Sequence, residues 1–361
     1  MGMRKSKNVK GLFTSLVANG ALLLNAGCAH HQWKGTDDRE PMPPTTSLEL
    51  DHTDHPFEDD IVSTPASQTI TDHRVFKIDD FLHAKDTFHV EKLTYTSSNG
   101  QEGTSYLTVP EGDGPHPVVM VFPVLAEKRV ISELMSKQLA REGYAVMRMA
   151  THPLEFVNTD DPNVTMDAYR SAILDARMLI DWMQDARPEL DGSKIAAAGI
   201  SLGSLLSSTL MGVEEDVKAG AFILVGGGLA EIFHDSTNAD IEAFRAKVQA
   251  KQALDTREEF IAYMDEITHP YDPLTHAGNI DPCRVVMVTG RGDTEIPPET
   301  SENLWEAMGE PDWHTIPTQH KKHVAWFFYW IMGQVSDHFD DVMLNDRCAK
   351  KLTHTAPPIL H

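Results

Sequence analysis

The run KIAAAGISLGSLLSSTLM, residues 194–211, decides the architecture of this chain. Lys194–Ile200 is small, apolar and of strand length, the composition of a strand covered on both faces. Leu202–Met211 reads as a helix, and the pentapeptide Gly199-Ile200-Ser201-Leu202-Gly203 joins the two without space for a loop. A serine at so sharp a strand-to-helix bend must adopt a strained backbone. Its neighbours two before and two after must lack side chains for strand and helix to approach. The bend lifts the hydroxyl above the sheet edge, beside the positive end of the helix. The five residues alone recur by chance. Between a strand and a helix they mark Ser201 as a candidate nucleophile, the alternative being a turn without chemistry.

Outward from this run, strand and helix patterns alternate. Upstream, Thr87–Thr94 and Thr104–Val109 flank the turn residues Ser98-Asn99-Gly100 and predict an antiparallel hairpin. Pro117–Phe122 is a continuous apolar run, Ile131–Arg141 a helix stopped by Gly143, Tyr144–Met149 a strand, and Met166–Met183 a helix by its apolar spacing. Downstream come strand Gly220–Val225, helical stretches at Ile241–Ala250 and Arg257–Ile267, and strand Arg284–Thr289. Helix Ser301–Met308, strand Asp312–Ile316 and helix His323–Phe339 follow. Parallel neighbours need crossovers, so the expected fold is α/β: a mostly parallel sheet opened by an antiparallel hairpin, with helices on both faces. A helical insertion, 229–280, precedes the penultimate strand and is either a cap over the sheet's carboxyl edge or an elaborated crossover. Tyr169, Met178, Trp182 and Met183 fall at helical spacing and read as core.

With that context the chain, over roughly residues 85–340, resembles the α/β-hydrolase superfamily, in particular its dienelactone-hydrolase-like and acyl-esterase branches. The resemblance implies a Ser–acid–His triad in that chain order. Gly290-Arg291-Gly292-Asp293-Thr294-Glu295-Ile296-Pro297 matches the family's turn after the penultimate strand, with Asp293 at the acid position and Glu295 the lesser candidate, read as solvated loop charge. Pro317-Thr318-Gln319-His320 resembles the family's P-x-G-H, with Gln319 where glycine is usual; His320 is the expected base and His323 the alternative. The family's two main-chain oxyanion donors map onto Leu202, next to the serine, and Val124 or Leu125, in the loop after Val118–Phe122. The implied reaction is cleavage of an ester or related acyl bond through an acyl-enzyme, with a small-molecule acyl substrate. The alternatives are a thioesterase or peptidase with the same triad, or a non-catalytic surface protein using the fold as a binding module. No HExxH, zinc-finger or dinucleotide fingerprint occurs, so no metal and no cofactor are expected.

The N-terminus reads as an address. Arg4, Lys5, Lys7 and Lys10 precede a short apolar stretch, Leu12–Leu24, too short for the roughly 30 Å hydrocarbon core. It ends in Leu24-Asn25-Ala26-Gly27-Cys28, which resembles the bacterial lipoprotein box with leucine one step early. The expectation is a signal peptide, 1–27, an acylated Cys28, and an exported protein anchored by lipid to the cell envelope, on the periplasmic side. Ordinary cleavage nearby is the alternative. Residues 28–75, rich in Asp, Glu, Pro, Thr and Ser, read as a solvated tether, 76–340 as the α/β domain and 341–361 as a tail.

Composition narrows the partners. The 361 residues carry 31 Lys and Arg against 54 Asp and Glu, a net charge of −23, and so repel polyphosphate; nucleic acid is excluded as the main ligand. Three cysteines are too few for a disulfide scaffold. Once Cys28 is acylated, Cys283 and Cys348 remain, either bridged or as two buried thiols. The oligomeric state is not legible.

Overall fold

The computed structural model describes residues 74–77, 88–125, 130–149 and 159–348; for 74–77 and 321–326 it describes the backbone alone. The signal-like segment and Cys28 lie outside the described residues, as does nearly all of the tether.

Among the described residues nine strands form one sheet, in the order β1-β2-β3-β5-β4-β6-β7-β8-β9. The opening strands are β1 (Arg74–Lys77), β2 (Phe88–Thr96) and β3 (Glu102–Pro110), and each pairs antiparallel with the next. β3 also runs antiparallel to β5 (Ala145–Met149). From β5 onward every pairing is parallel: β4 (His116–Val121), β6 (Leu190–Ile200), β7 (Val217–Ile223), β8 (Val285–Gly290) and β9 (Asp312–Ile316). The crossovers are α1 (Val130–Arg141), α2 (Pro162–Ala186) and α3 (Leu202–Val213), then the insertion, then α8 (Pro298–Ala307); α9 (Lys321–Phe339) closes the domain.

The pleat explains why the central strands read as unbroken apolar runs. Val118 and Met120 of β4 pack into one core, Val119 and Val121 into the other; Ile195 and Ala197 of β6 divide from Ala196 and Ala198 in the same way. One core lies against α2, α3 and the insertion, with Tyr169, Ile173 and Leu210 among its buried members. The second lies against α1 and α9, through Met135, Leu139, Val335 and Phe339. Burying each such side chain stabilises by about 1.5–3 kcal/mol, so a strand covered on both sides has no position to spare for polar alternation. Of the aromatic run in α9, Phe327 and Phe328 join the second core, while Tyr329 and Trp330 stay exposed. No helix among the described residues is long and apolar enough to cross a membrane.

Several boundaries differ from the sequence reading. The sheet begins at Arg74, inside the stretch read as tether, because β1 adds to the outer edge of β2. Ordered chain also continues past residue 340: a π-helical turn, Asp340–Leu344, leads to Cys348. There Cys348 is bonded to Cys283, with Cα atoms 5.7 Å apart across 65 residues. Closing so long a loop is worth about 4 kcal/mol in the chain-entropy model. The insertion holds four helices: α4 (Leu229–Asp235), α5 (Ala239–Gln252), α6 (Arg257–Thr268) and α7 (Pro273–His276). α4 is absent from the sequence reading, its seven residues being too few to show a period.

Candidate active site

The strand order brings together segments far apart in sequence. Because β4 lies beside β6, the loop leaving β4 runs next to the bend after β6, and the Phe122 N–H donates to Ala198 O at 3.2 Å. The crevice above the carboxyl ends of these strands, where the chain turns from one side of β4 to the other, is where open α/β sheets hold ligands.

Ser201 sits at the bend with φ 57° and ψ −123°, a left-handed conformation that costs a non-glycine residue about 1–3 kcal/mol. The flanking glycines are required by contact. A Cβ on Gly199 would stand 2.1 Å from Gly203 C, and one on Gly203 would stand 2.6 Å from Phe122 O. The bend is held from below. The Ser201 N–H donates to Ile223 O at 2.9 Å. Ser204 Oγ accepts from Ile223 N–H at 2.8 Å and donates to Gly199 O at 2.6 Å.

Two further loops converge on this hydroxyl. The loop after β8 carries Asp293, whose Oδ1 accepts from the Glu295 and Ile296 N–H groups at 2.9 and 3.0 Å, a turn that suits aspartate. The loop after β9 carries His320. The two loops are stitched together, Arg291 N–H to Ile316 O at 2.9 Å and Gly292 N–H to Thr318 O at 3.2 Å. His320 Nδ1 donates to Asp293 Oδ2 at 2.7 Å, and its Nε2 lies 2.8 Å from Ser201 Oγ. Ser201, Asp293 and His320 are 7%, 4% and 2% exposed, so the relay is shielded from bulk water. His320 too has a left-handed backbone, φ 41°, as the first residue before α9. An imidazole gripped on one nitrogen by a carboxylate presents a lone pair on the other, the arrangement that accepts a hydroxyl proton.

The structure therefore brings Ser201, Asp293 and His320 into one hydrogen-bonded chain. Glu295 stands apart from Asp293, on the opposite side of the ring, with Oε2 3.6 Å from His320 Nε2. Gln319, in place of the expected glycine, is exposed and needs no special backbone, so the departure is without steric consequence. His323 falls in the first turn of α9, and its side chain lies outside the described residues. Val124 and Leu125 are buried beside the bend, and Leu125 and Leu202 line the same cleft as Ser201. Among the described residues no cluster of His, Cys, Asp or Glu is arranged to hold a metal.

That cleft measures about 570 Å³, counting its open mouth. Its walls are mostly hydrocarbon, Met166 and Tyr169 from α2, Leu202 and Leu205 from α3, Leu229, Ile232 and Phe233 from α4 and Ile241 from α5, with Asn238 and Glu295 the polar exceptions beside Ser201. The insertion thus forms a wall of the site as well as a crossover. Tyr169, read as core, serves both roles; it is buried, donates or accepts at Thr209 Oγ1 over 2.9 Å, and borders the cleft. Asn238, which also borders the cleft, carried no signal beyond its suitability as a helix cap.

No protein-family model and no curated protein matches this chain. Solved structures do. The chain is similar to an acetyl xylan esterase from Paenibacillus sp. R4 at 18% identity and a TM-score of 0.56, over 72% of this chain and 88% of that one. It is similar to an esterase from Pyrococcus furiosus at 14% identity and a TM-score of 0.50, over 71% and 92% of the two chains. A glucuronoyl esterase from Teredinibacter turnerae matches at 12% identity and a TM-score of 0.50, over 75% and 80%. At such identities the likeness speaks to architecture: the chain has the α/β-hydrolase fold.

Proposed function

We propose that this protein is a serine esterase that cleaves an ester with an apolar acyl group. The observation that carries the reading is the buried relay from Ser201 Oγ through His320 to Asp293, at 2.8 and 2.7 Å, opening onto an apolar cleft. His320 takes the serine proton as Oγ attacks the acyl carbonyl, then returns it to the departing alkoxide; water repeats the sequence on the acyl-enzyme. Asp293 holds the imidazole in the required tautomer and faces the imidazolium without taking its proton. The oxyanion is received by the Leu202 N–H, one of the orphan donors of the first helical turn, and by the Val124 or Leu125 N–H. The hydrocarbon side chains of α2, α3, α4 and α5 favour an acyl chain over a sugar against them. That the similar structures are named as esterases supports the same class of reaction.

A fluorophosphonate probe tests this on the folded protein. It is expected to label Ser201 in the native chain and in His323→Ala, and to fail in Ser201→Ala and His320→Ala. Labelling lost in His323→Ala but kept in His320→Ala would transfer the base to His323. Labelling that persists in Ser201→Ala would remove the serine assignment.

We also propose that the enzyme is exported and anchored through an acylated Cys28. The order of basic, apolar and small residues before Cys28 supports this, and so does the Cys283–Cys348 bond, since disulfides persist in oxidising compartments. Expressed in a bacterium, the protein is expected to partition into detergent with the envelope, and Cys28→Ala to shift it to the aqueous phase. Equal partitioning of both forms would refute the anchor.

A further inference from the structure

We infer that Glu295 sets the specificity of this site: its carboxylate, on the leaving-group side of His320, selects esters whose alcohol portion is neutral or cationic and turns away those with an anion beside the ester oxygen. The inference rests on the esterase reading above.

The position follows from which nitrogen each carboxylate meets. Asp293 Oδ2 occupies Nδ1, the nitrogen facing away from the serine, at 2.7 Å. Glu295 Oε2 lies 3.6 Å from Nε2, the nitrogen that bonds Ser201 Oγ. The same Nε2 must hand its proton to the leaving alkoxide. A leaving oxygen within hydrogen-bond reach of Nε2, about 3 Å, therefore stands no more than about 6.6 Å from the Glu295 carboxylate. Whatever substituent that oxygen bears passes through the carboxylate's field.

Glu295 is held there. Its backbone N–H donates to Asp293 Oδ1 at 2.9 Å, and its Oε2 accepts from Asn238 Nδ2 at 2.7 Å. Asn238 is itself fixed, its Oδ1 capping α5 by accepting from the Asp240 and Ile241 N–H groups. The neighbouring residues are zipped in parallel: Thr237 N–H donates to Thr294 O at 2.9 Å, and the two threonine hydroxyls meet at 2.7 Å. The insertion thus holds the acid loop and aims Glu295 into the cleft it lines with Ser201. The side chain is 23% exposed, enough to stay hydrated, while most of the lining around it is hydrocarbon that screens its charge weakly.

The experiment compares two phenyl esters of one acyl chain, one plain and one bearing a carboxylate next to the ester oxygen, at low ionic strength. The readout is the ratio of their kcat/KM values, which cancels any effect of Glu295 on the imidazolium common to both. In Glu295→Gln, whose amide oxygen still accepts from Asn238, the anionic-to-neutral ratio is expected to rise about tenfold over the native ratio. Added salt is expected to raise the native ratio more than that of Glu295→Gln, in which only the field of the rest of the acidic chain is left to screen. An unchanged ratio in protein whose Ser201 still takes a phosphonate overturns the Glu295 assignment alone. A native protein that hydrolyses neither ester and takes no phosphonate overturns the esterase reading, and this inference with it.

Discussion

Replacing Ser201 by alanine is expected to lower kcat for ester hydrolysis by about 10⁶-fold, the scale seen when a serine nucleophile is removed from a working triad. The oxyanion donors and the cleft survive the change, so a residual catalysis of about 10³–10⁴ over water is expected. The substitution deletes one oxygen from a residue already 93% covered and leaves the bend's backbone bonds intact, so the protein should still fold. A second variant separates chemistry from strain. At φ 57° and ψ −123° alanine keeps the backbone penalty of serine, whereas glycine relieves it. Ser201→Gly should therefore be as inactive as Ser201→Ala yet more stable by about 1 kcal/mol. Thermal melts and initial rates on the same preparations decide both points. A loss of less than about tenfold in Ser201→Ala would remove the serine from the mechanism.

The parts of this site that sequence reveals are those fixed by backbone need. Gly199 and Gly203 are visible because a side chain at either place would collide with the chain two or more residues away. Asp293 is visible through its likeness to the family's turn, and the structure gives that turn a reason, since Asp293 accepts from the two N–H groups following it. The alternating strands were legible for a similar reason, since burial on both faces leaves Val118–Val121 of β4, Ile195–Ile200 of β6 and Val285–Val288 of β8 without a polar side chain. What escaped reading depends on three-dimensional neighbours. Spacing alone leaves His320 and His323 equivalent; the family resemblance favours His320, and the bend before α9 puts its ring against Ser201. The cleft walls come from four separate helices, whose apolar residues look like any core residue until the crevice beside them is seen. Glu295 reads as loop charge in sequence; its proximity to Nε2 arises from a bond to Asn238, 57 positions away.

Asp293→Asn is expected to cost about 10⁴-fold in kcat with little loss of stability, and the reason lies in the bonds around the carboxylate. Oδ1 receives two backbone N–H groups, and Oδ2 receives His320 Nδ1. An asparagine has one oxygen and one NH₂ to fill these places. Turning the NH₂ toward Glu295 and Ile296 would set donor against two donors and orphan both in a buried turn, so the amide oxygen stays with the backbone. The NH₂ then faces His320, which must offer Nδ1 as an acceptor and carry its proton on Nε2. That proton points at Ser201 Oγ, and the imidazole can no longer take the serine's own. The loop stays closed and the ring stays in place; only the proton is on the wrong nitrogen. Asp293→Ala differs in kind, since it leaves the Glu295 and Ile296 N–H groups without an acceptor and should lose stability, by about 1–3 kcal/mol, as well as activity. Nitrogen-15 spectra of the histidine ring would show Nδ1 protonated in the native protein and Nε2 protonated in Asp293→Asn. The same tautomer in both, or a rate within tenfold of native, would mean that Asp293 does not orient the base.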